Sequence, residues 1–230
     1  MKRLSFFTLL VLIILCNVSC YQKTTPQSNS YLAESEKFSL SLGYVANNSF
    51  DYTVPAYEMN TEMNKVSLEE KSLKIYAAKK KCNLDYAFVI NMRIPSFKKR
   101  FFVYNLKKDS IIASGLVAHG TGSETFKGQL KFSNIPDSRC TSLGKYKIGT
   151  SYNGMYGFSY KLTGLDSTNN KAFDRAIVIH SHACVPDTDN NLYPICFSYG
   201  CPMVSPMFLQ TLKGYINKQG KAPILLSIIY

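Results

Sequence analysis

The chain has 230 residues, 46% apolar and 18% charged, and its 27 Lys and Arg against 15 Asp and Glu leave a net charge of +12. That length holds one sizeable domain with ancillary segments, and that apolar share excludes a chain too polar to fold. The positive charge attracts polyanions in general, but the export leader read below directs the chain away from nucleic acid and towards anionic wall polymer or membrane surface.

The leader opens with Lys2-Arg3, runs through the nearly all-apolar stretch Leu4 to Leu15, and ends Val18-Ser19-Cys20. So short a run does not comfortably span a bilayer, which needs about 20 apolar residues. Residues 1–19 therefore read as an export signal. A cysteine just after Val-Ser resembles a bacterial lipobox, with Cys20 bearing the lipid that anchors the chain to a membrane. Asn17 stands where that pattern prefers Leu, so ordinary signal cleavage is the alternative. Residues 20–65 form a tether and N-terminal segment, polar in Gln, Ser, Thr, Asn and Pro over 21–36.

The domain proper is expected over 66–230, led by a helix at 66–80. Ser67 with Glu70 reads as a capping box, and Leu68, Leu73, Ile75 and Tyr76 as the apolar stripe. From 84 the period changes to two, with Tyr86, Phe88, Ile90, Met92 and Ile94 on one face of a strand. Residues 100–106 and 111–118 read as a hairpin about Lys107-Lys108-Asp109-Ser110. Short strands follow at 145–150, 157–163 and 175–180. Ser205 as N-cap and Pro206 at the first helical position open a last helix ended by Gly220, and 223–230 is a buried strand. With 16 Tyr, 14 Phe and no Trp, the sum is a β-rich α+β domain.

Two features carry chemistry. The apolar run Ala176-Ile177-Val178-Ile179 ends in His180, and Ser198-Tyr199-Gly200-Cys201-Pro202 follows after the residues 181–197. A thiol becomes a useful nucleophile when a base takes its proton, and an imidazole brought beside it by the fold can do so. Cys201 is the candidate nucleophile. His180 is the candidate base, with His182 as rival. Gly200 permits a tight turn. His180, His182, Cys184, Cys196 and Cys201 could also suggest zinc, but their spacing fits no standard pattern, and no metal or cofactor is expected. Cys184 and Cys196 could instead form a disulfide inside the 181–197 loop. That loop carries Pro186, Asp187, Asp189, Asn190 and Asn191, turn formers suited to a lid over the site.

Histidine, a loop of this length, then Ser-x-Gly-Cys resembles the L,D-transpeptidases of the YkuD type. Further stretches extend the resemblance over roughly 80–230: Lys99-Arg100-Phe101-Phe102-Val103, Gly115-Leu116-Val117-Ala118-His119-Gly120, Phe132-Ser133-Asn134, Thr141-Ser142-Leu143-Gly144-Lys145-Tyr146, Tyr152-Asn153-Gly154-Met155-Tyr156-Gly157 and Leu162-Thr163-Gly164-Leu165-Asp166. They match the Bacteroidetes-like branch described as the murein L,D-transpeptidase catalytic domain. The resemblance implies a β-sandwich-like catalytic domain with peripheral helices. It implies an oxyanion hole from the amides of Tyr199, Gly200 and Cys201, and a Ser181 that helps orient the imidazole. It also implies a cleft wall at His119, Gly120 and Ser198. The expected substrates are peptidoglycan stem peptides, joined 3–3 through a cysteine thioester by a monomeric, periplasmic enzyme. The alternatives are an L,D-carboxypeptidase using water as acceptor, and a non-catalytic wall-binding lipoprotein. Arg175 reads as structural, and Phe197 stands where related sequences often carry an arginine.

Overall fold

A computed structural model describes residues 56–126, 128–189, 195–218, 220 and 222–230. The expected export signal (residues 1–19), Cys20 and most of the 20–65 segment lie outside the described residues.

Helix α1 (Ala56–Lys80) begins ten residues before the expected start. Ser67 is therefore mid-helix and caps nothing. The buried positions are Val66, Glu70, Leu73 and Ala77, while Leu68 and Ile75 are exposed. With Met59 and Met63 packed against the same cluster, the true stripe steps alternately by four and three residues, one continuous helical face. Glu70 occupies one of its apolar positions, which hid the register in the sequence. Burial, with Asp109 nearby, pushes the Glu70 carboxyl up. Lys81 takes φ +55, and Cys82 N–H returns to Ala77 O at 2.9 Å, ending the helix.

The strands among the described residues are β1 (Tyr86–Asn91), β2 (Phe101–Asn105), β3 (Ser110–Gly115), β4 (Val117–Ala118), β5 (Gly144–Gly154), β6 (Gly157–Gly164), β7 (Val178–Ser181), β8 (Met203–Val204) and β9 (Leu225–Ile229). They form one mixed sheet in the order β3-β2-β1-β9-β5-β6-β7-β8-β4. The single strand expected over 111–118 is thus broken at Leu116, with β3 at one edge of the order and β4 at the other. The buried Arg100 sits by that corner: its Nε and Nη2 donate to Val117 O at 3.0 and 2.8 Å. Laid flat, the two edges would stand about 38 Å apart, whereas the one linking residue spans at most about 7 Å. The sheet must curl until its edges meet. This is the sandwich-like, β-rich α+β architecture expected.

The inward side chains make one core, including Phe88, Phe101, Tyr146, Tyr160, Ile179 and Leu226. Helix α2 (Pro206–Asn217) adds Phe208, Leu209 and Leu212 to it. Ser205 caps α2 as expected, its Oγ accepting from Phe208 N at 3.1 Å. Helix α1 covers the opposite face of β1, β2 and β9 through Ala87, Val89, Phe102, Tyr104 and Leu225. Alternate residues of each strand therefore serve two different helices.

Candidate active site

Three elements build the site. The first is the turn at Ser198–Cys201. Ser198 N–H donates to His119 O at 2.9 Å, and Thr121 N–H donates to Ser198 O at 2.8 Å, so the segment lies parallel to the chain leaving β4. The Ser198 hydroxyl closes the turn: it accepts from Gly200 N–H at 3.1 Å and donates to Cys201 O at 2.6 Å. Gly200 has φ +113, and a Cβ there would lie 2.8 Å from Cys140 O, so both conformation and space demand glycine. Of the three amides expected in an oxyanion hole, Gly200's is engaged within the turn. Those of Tyr199 and Cys201 have no hydrogen-bond partner among the described residues.

The second element is β7, which lies between β6 and β8. Cys201 precedes β8, and its Sγ lies 3.5 Å from Val178 N. Val178 and His180 are alternate residues of β7 and share a face, about 6.6 Å apart along the strand. His180 Nδ1 lies 3.4 Å from Ser181 O. A carbonyl only accepts, so this contact assigns the proton to Nδ1 and leaves the lone pair on Nε2. The orienting group at residue 181 is thus its carbonyl.

The third element is the β5–β6 hairpin, whose tip Met155-Tyr156 joins the paired Gly154 and Gly157. It lays Tyr156 on the His180 ring, centroids 4.7 Å apart at 26°. Cys201, His180, His182, Ser198, Tyr199 and Tyr156 line a common cavity of about 710 Å³, together with Thr121, Arg139, Phe197, Met203 and the Cys184 and Cys196 pair.

Burial pushes the Cys201 thiol up, opposed in part by Val178 N–H and by the nearby charge of Arg175. Burial pushes His180 down, the Ser181 carbonyl opposing and His182 adding to the fall. Both directions favour a neutral thiol and a neutral imidazole lining one cavity at rest, the thiol held between Val178 N–H at 3.5 Å and Ala176 O at 3.8 Å. Neutral groups of this kind can exchange a proton during a reaction, rather than standing as an ion pair beforehand.

His119 and Gly120 take other places. His119 is buried, its Nδ1 2.8 Å from Arg100 Nη2 and its Nε2 2.5 Å from Glu124 Oε1. Gly120 is wedged where a Cβ would lie 2.1 Å from Arg139 O. Neither lines the cavity; they brace the strand on which the turn rests. Arg175 donates to Ser133 O at 3.0 Å and Cys140 O at 2.7 Å, the structural role expected.

Cys184 and Cys196 form a disulfide. Among the described residues no group of three or more potential ligands could hold a metal ion. The described parts of the 181–197 loop are anchored rather than loose. Val185 and Ile195 are buried beside Leu116 and Met203. Asp187 accepts from the Ser205 hydroxyl, and Asp189 accepts from Lys99 N–H at 2.9 Å. These parts thus pack against β8, the α2 cap and the segment before β2, contacts that their turn-forming composition did not suggest.

Sequence reasoning missed Tyr156 and Arg139 as parts of the site. Tyr156 stood in a stretch of recognisable family character, but its place depends on a hairpin tip folding back over β7. Arg139 lies in an irregular segment without period or motif.

The family model described as the L,D-transpeptidase catalytic domain matches residues 58–222. The chain belongs to that family. Solved structures similar to it include an L,D-transpeptidase from Mycobacterium smegmatis, at 10% identity and TM-score 0.37, covering 64% of this chain and 59% of that one. The helical cell-shape-determining protein Pgp2 from Campylobacter jejuni matches at 14% identity and TM-score 0.39, over 63% and 47% of the two chains. An Enterococcus faecium L,D-transpeptidase matches at 11% and 0.37, over 62% and 49%. The chain thus spans about half to three-fifths of these structures. No curated protein sequence matches it.

Proposed function

We propose that this family member is a peptidoglycan L,D-transpeptidase acting through Cys201. The observation that carries the reading is the convergence of a buried thiol, an imidazole with Nε2 open and two amides without protein partners on one cavity. The Cys201 sulfur attacks the carbonyl of the third stem residue, and its proton passes to His180 Nε2. The amides of Tyr199 and Cys201 receive the oxyanion, where one such donor is typically worth about 3 kcal/mol of barrier. Collapse expels the terminal D-amino acid, whose amine takes the proton back from His180. The thioester is then attacked by an amine of a second stem, which gives its proton to His180, and the Cys201 thiolate leaves and is reprotonated. Water in place of the amine gives the carboxypeptidase outcome.

The test incubates the full chain with a stem tetrapeptide and an amine acceptor, and follows products by mass spectrometry. A Cys201 acyl adduct and a 3–3 product are expected from the wild type and neither from Cys201→Ala. Cross-linking by the alanine variant would sink the assignment, and released D-amino acid with no cross-link would move it to hydrolysis. A carbapenem β-lactam should label Cys201 in the same way.

The site's address is part of the proposal. Lys2-Arg3, the apolar run and Val18-Ser19-Cys20 support export to the periplasm with a lipid on Cys20. No helix among the described residues is long and apolar enough to cross a membrane. Mass spectrometry of the membrane fraction should show a diacylated Cys20 at the mature N-terminus; a soluble protein starting elsewhere would refute the anchor.

A further inference from the structure

Arg139 is the part of the cavity wall to which the proposed chemistry gives no task. It is the one side chain of permanent charge among the described residues lining the cavity. Its guanidinium lies over the ring of Tyr199, 4.8 Å from the centroid, two residues before Cys201. A guanidinium placed over a ring still offers its fork of N–H donors to a planar partner. No ion pair engages those donors among the described residues.

The backbone beneath it is fixed. Arg139 holds φ +52, and its carbonyl accepts from Gly122 N–H at 3.0 Å while pressing on Gly120. The other basic group near Cys201, Arg175, spends its donors on Ser133 O, Cys140 O and neighbouring hydroxyls. The acids of the loop are also turned aside, Asp187 to Ser205 and Asp189 to Lys99. The cavity therefore presents aromatic walls, one cation and no carboxylate among the described residues.

The geometry points to Arg139 as the specificity residue that holds a carboxylate of the donor stem peptide, through paired N–H donors, while Cys201 reacts. This rests on the proposed function and names the chemistry its donor must carry. Two carboxylates qualify: that of the leaving D-amino acid, and one on the side chain of the third residue.

The test measures acylation of Cys201 in the full chain by mass spectrometry with three donors. One has both carboxylates free, one carries a C-terminal amide, and one has the third-residue side chain amidated. For the wild type, one of the two amidations should slow acylation about 10- to 100-fold, the range of a hydrogen-bonded charge, and which one does so identifies the source. Arg139→Gln should slow the free donor by the same factor and be indifferent to that amidation, while Arg139→Lys should keep part of the preference. Alkylation of Cys201 by iodoacetamide, at the wild-type rate in both variants, verifies the fold.

Full preference for the carboxylate in a folded Arg139→Gln would overturn the assignment, as would a wild type indifferent to both amidations. Should no donor acylate the wild type, the proposed function fails instead. Arg139 is then judged by the ratio of iodoacetate to iodoacetamide rates at Cys201: a fall in Arg139→Gln upholds anion selection, and an unchanged ratio overturns it.

Discussion

Two strand ends in this molecule carry a buried histidine, and they are built to opposite purposes. At the end of β4, His119 has both ring nitrogens engaged. Arg100 can only donate, so Nδ1 accepts and Nε2–H must donate to Glu124. That pattern requires a neutral ring, and burial beside Arg100 pushes its pKa down to about 3. The contact with Glu124 is therefore a hydrogen bond to a neutral imidazole, not an ion pair. At the end of β7, His180 is also buried and also lowered, but only Nδ1 is engaged, at 3.4 Å. Burial does not separate the two. The unpartnered lone pair at Nε2 of His180 does, because a ring hydrogen-bonded at both nitrogens has no free lone pair to take a proton.

The largest effect should come from breaking the open end. His180→Gln removes the proposed base and should cut acylation by a donor peptide about 10²- to 10⁴-fold while leaving the melting temperature near wild type. Under the proposed mechanism the reactive form of the wild type needs neutral His180. Its pKa is lowered, so the acid limb of acylation should fall below the ordinary histidine value of 6.5. In the variant only thiolate can attack, and the Cys201 thiol is raised above 9.0. The rate should then climb with pH into the alkaline range. An acid limb unchanged in His180→Gln would show that another group is the base.

Breaking the closed end should cost stability instead. His119→Leu strands donors of Arg100 and the Glu124 carboxylate, a loss of about 2–3 kcal/mol for a buried charged bond. Cys201 acylation at saturating donor should change no more than a few-fold. The pH dependence gives a sharper signature. A folded pKa near 3 against 6.5 unfolded means the contribution of His119 is fully present above 6.5 and is lost as pH falls from 6.5 towards 3. The stability gap between wild type and His119→Leu should therefore narrow on acidification, by urea titration at stepped pH. A gap constant from pH 7 to 4 would contradict the neutral assignment.

The sequence showed these two ends equally well, and that is its limit. Both read as an apolar run ending in histidine, and nothing local says that Arg100 and Glu124 will close on one of them. What was legible rested on short-range rules. Ser205 and Pro206 marked the α2 start, the period-two run marked β1, the turn at 107–110 marked the hairpin of β2 and β3, and Gly200 before Cys201 marked a turn that glycine alone fits. What was not legible depended on long-range closure. The break at Leu116 exists because β3 and β4 meet only when the sheet curls. The true face of α1 was masked because Glu70 sits in an apolar stripe, a substitution that makes sense only once burial raises its carboxyl. The contacts of the turn-rich loop were hidden because the partners of Asp187 and Asp189, at Ser205 and Lys99, are distant in sequence.

The smallest effect, and the finest test of the comparison, lies at His182. It lines the same cavity as His180 but is exposed, and its Nδ1 accepts from Cys184 N–H at 3.1 Å. That bond fixes the turn into the disulfide-bridged loop and points the ring's function towards structure at the rim. His182 reaches His180 electrostatically, helping to lower it. Removing that influence in His182→Gln should move the acid limb of acylation upward, towards 6.5, because the neighbouring charge that opposed protonation of His180 is gone. The rate at pH 8, where His180 is neutral in either protein, should stay within about two-fold, the scale of a weak exposed contact. A downward shift of the limb, or loss of acylation at pH 8 with His180→Gln still active, would exchange the roles of the two histidines.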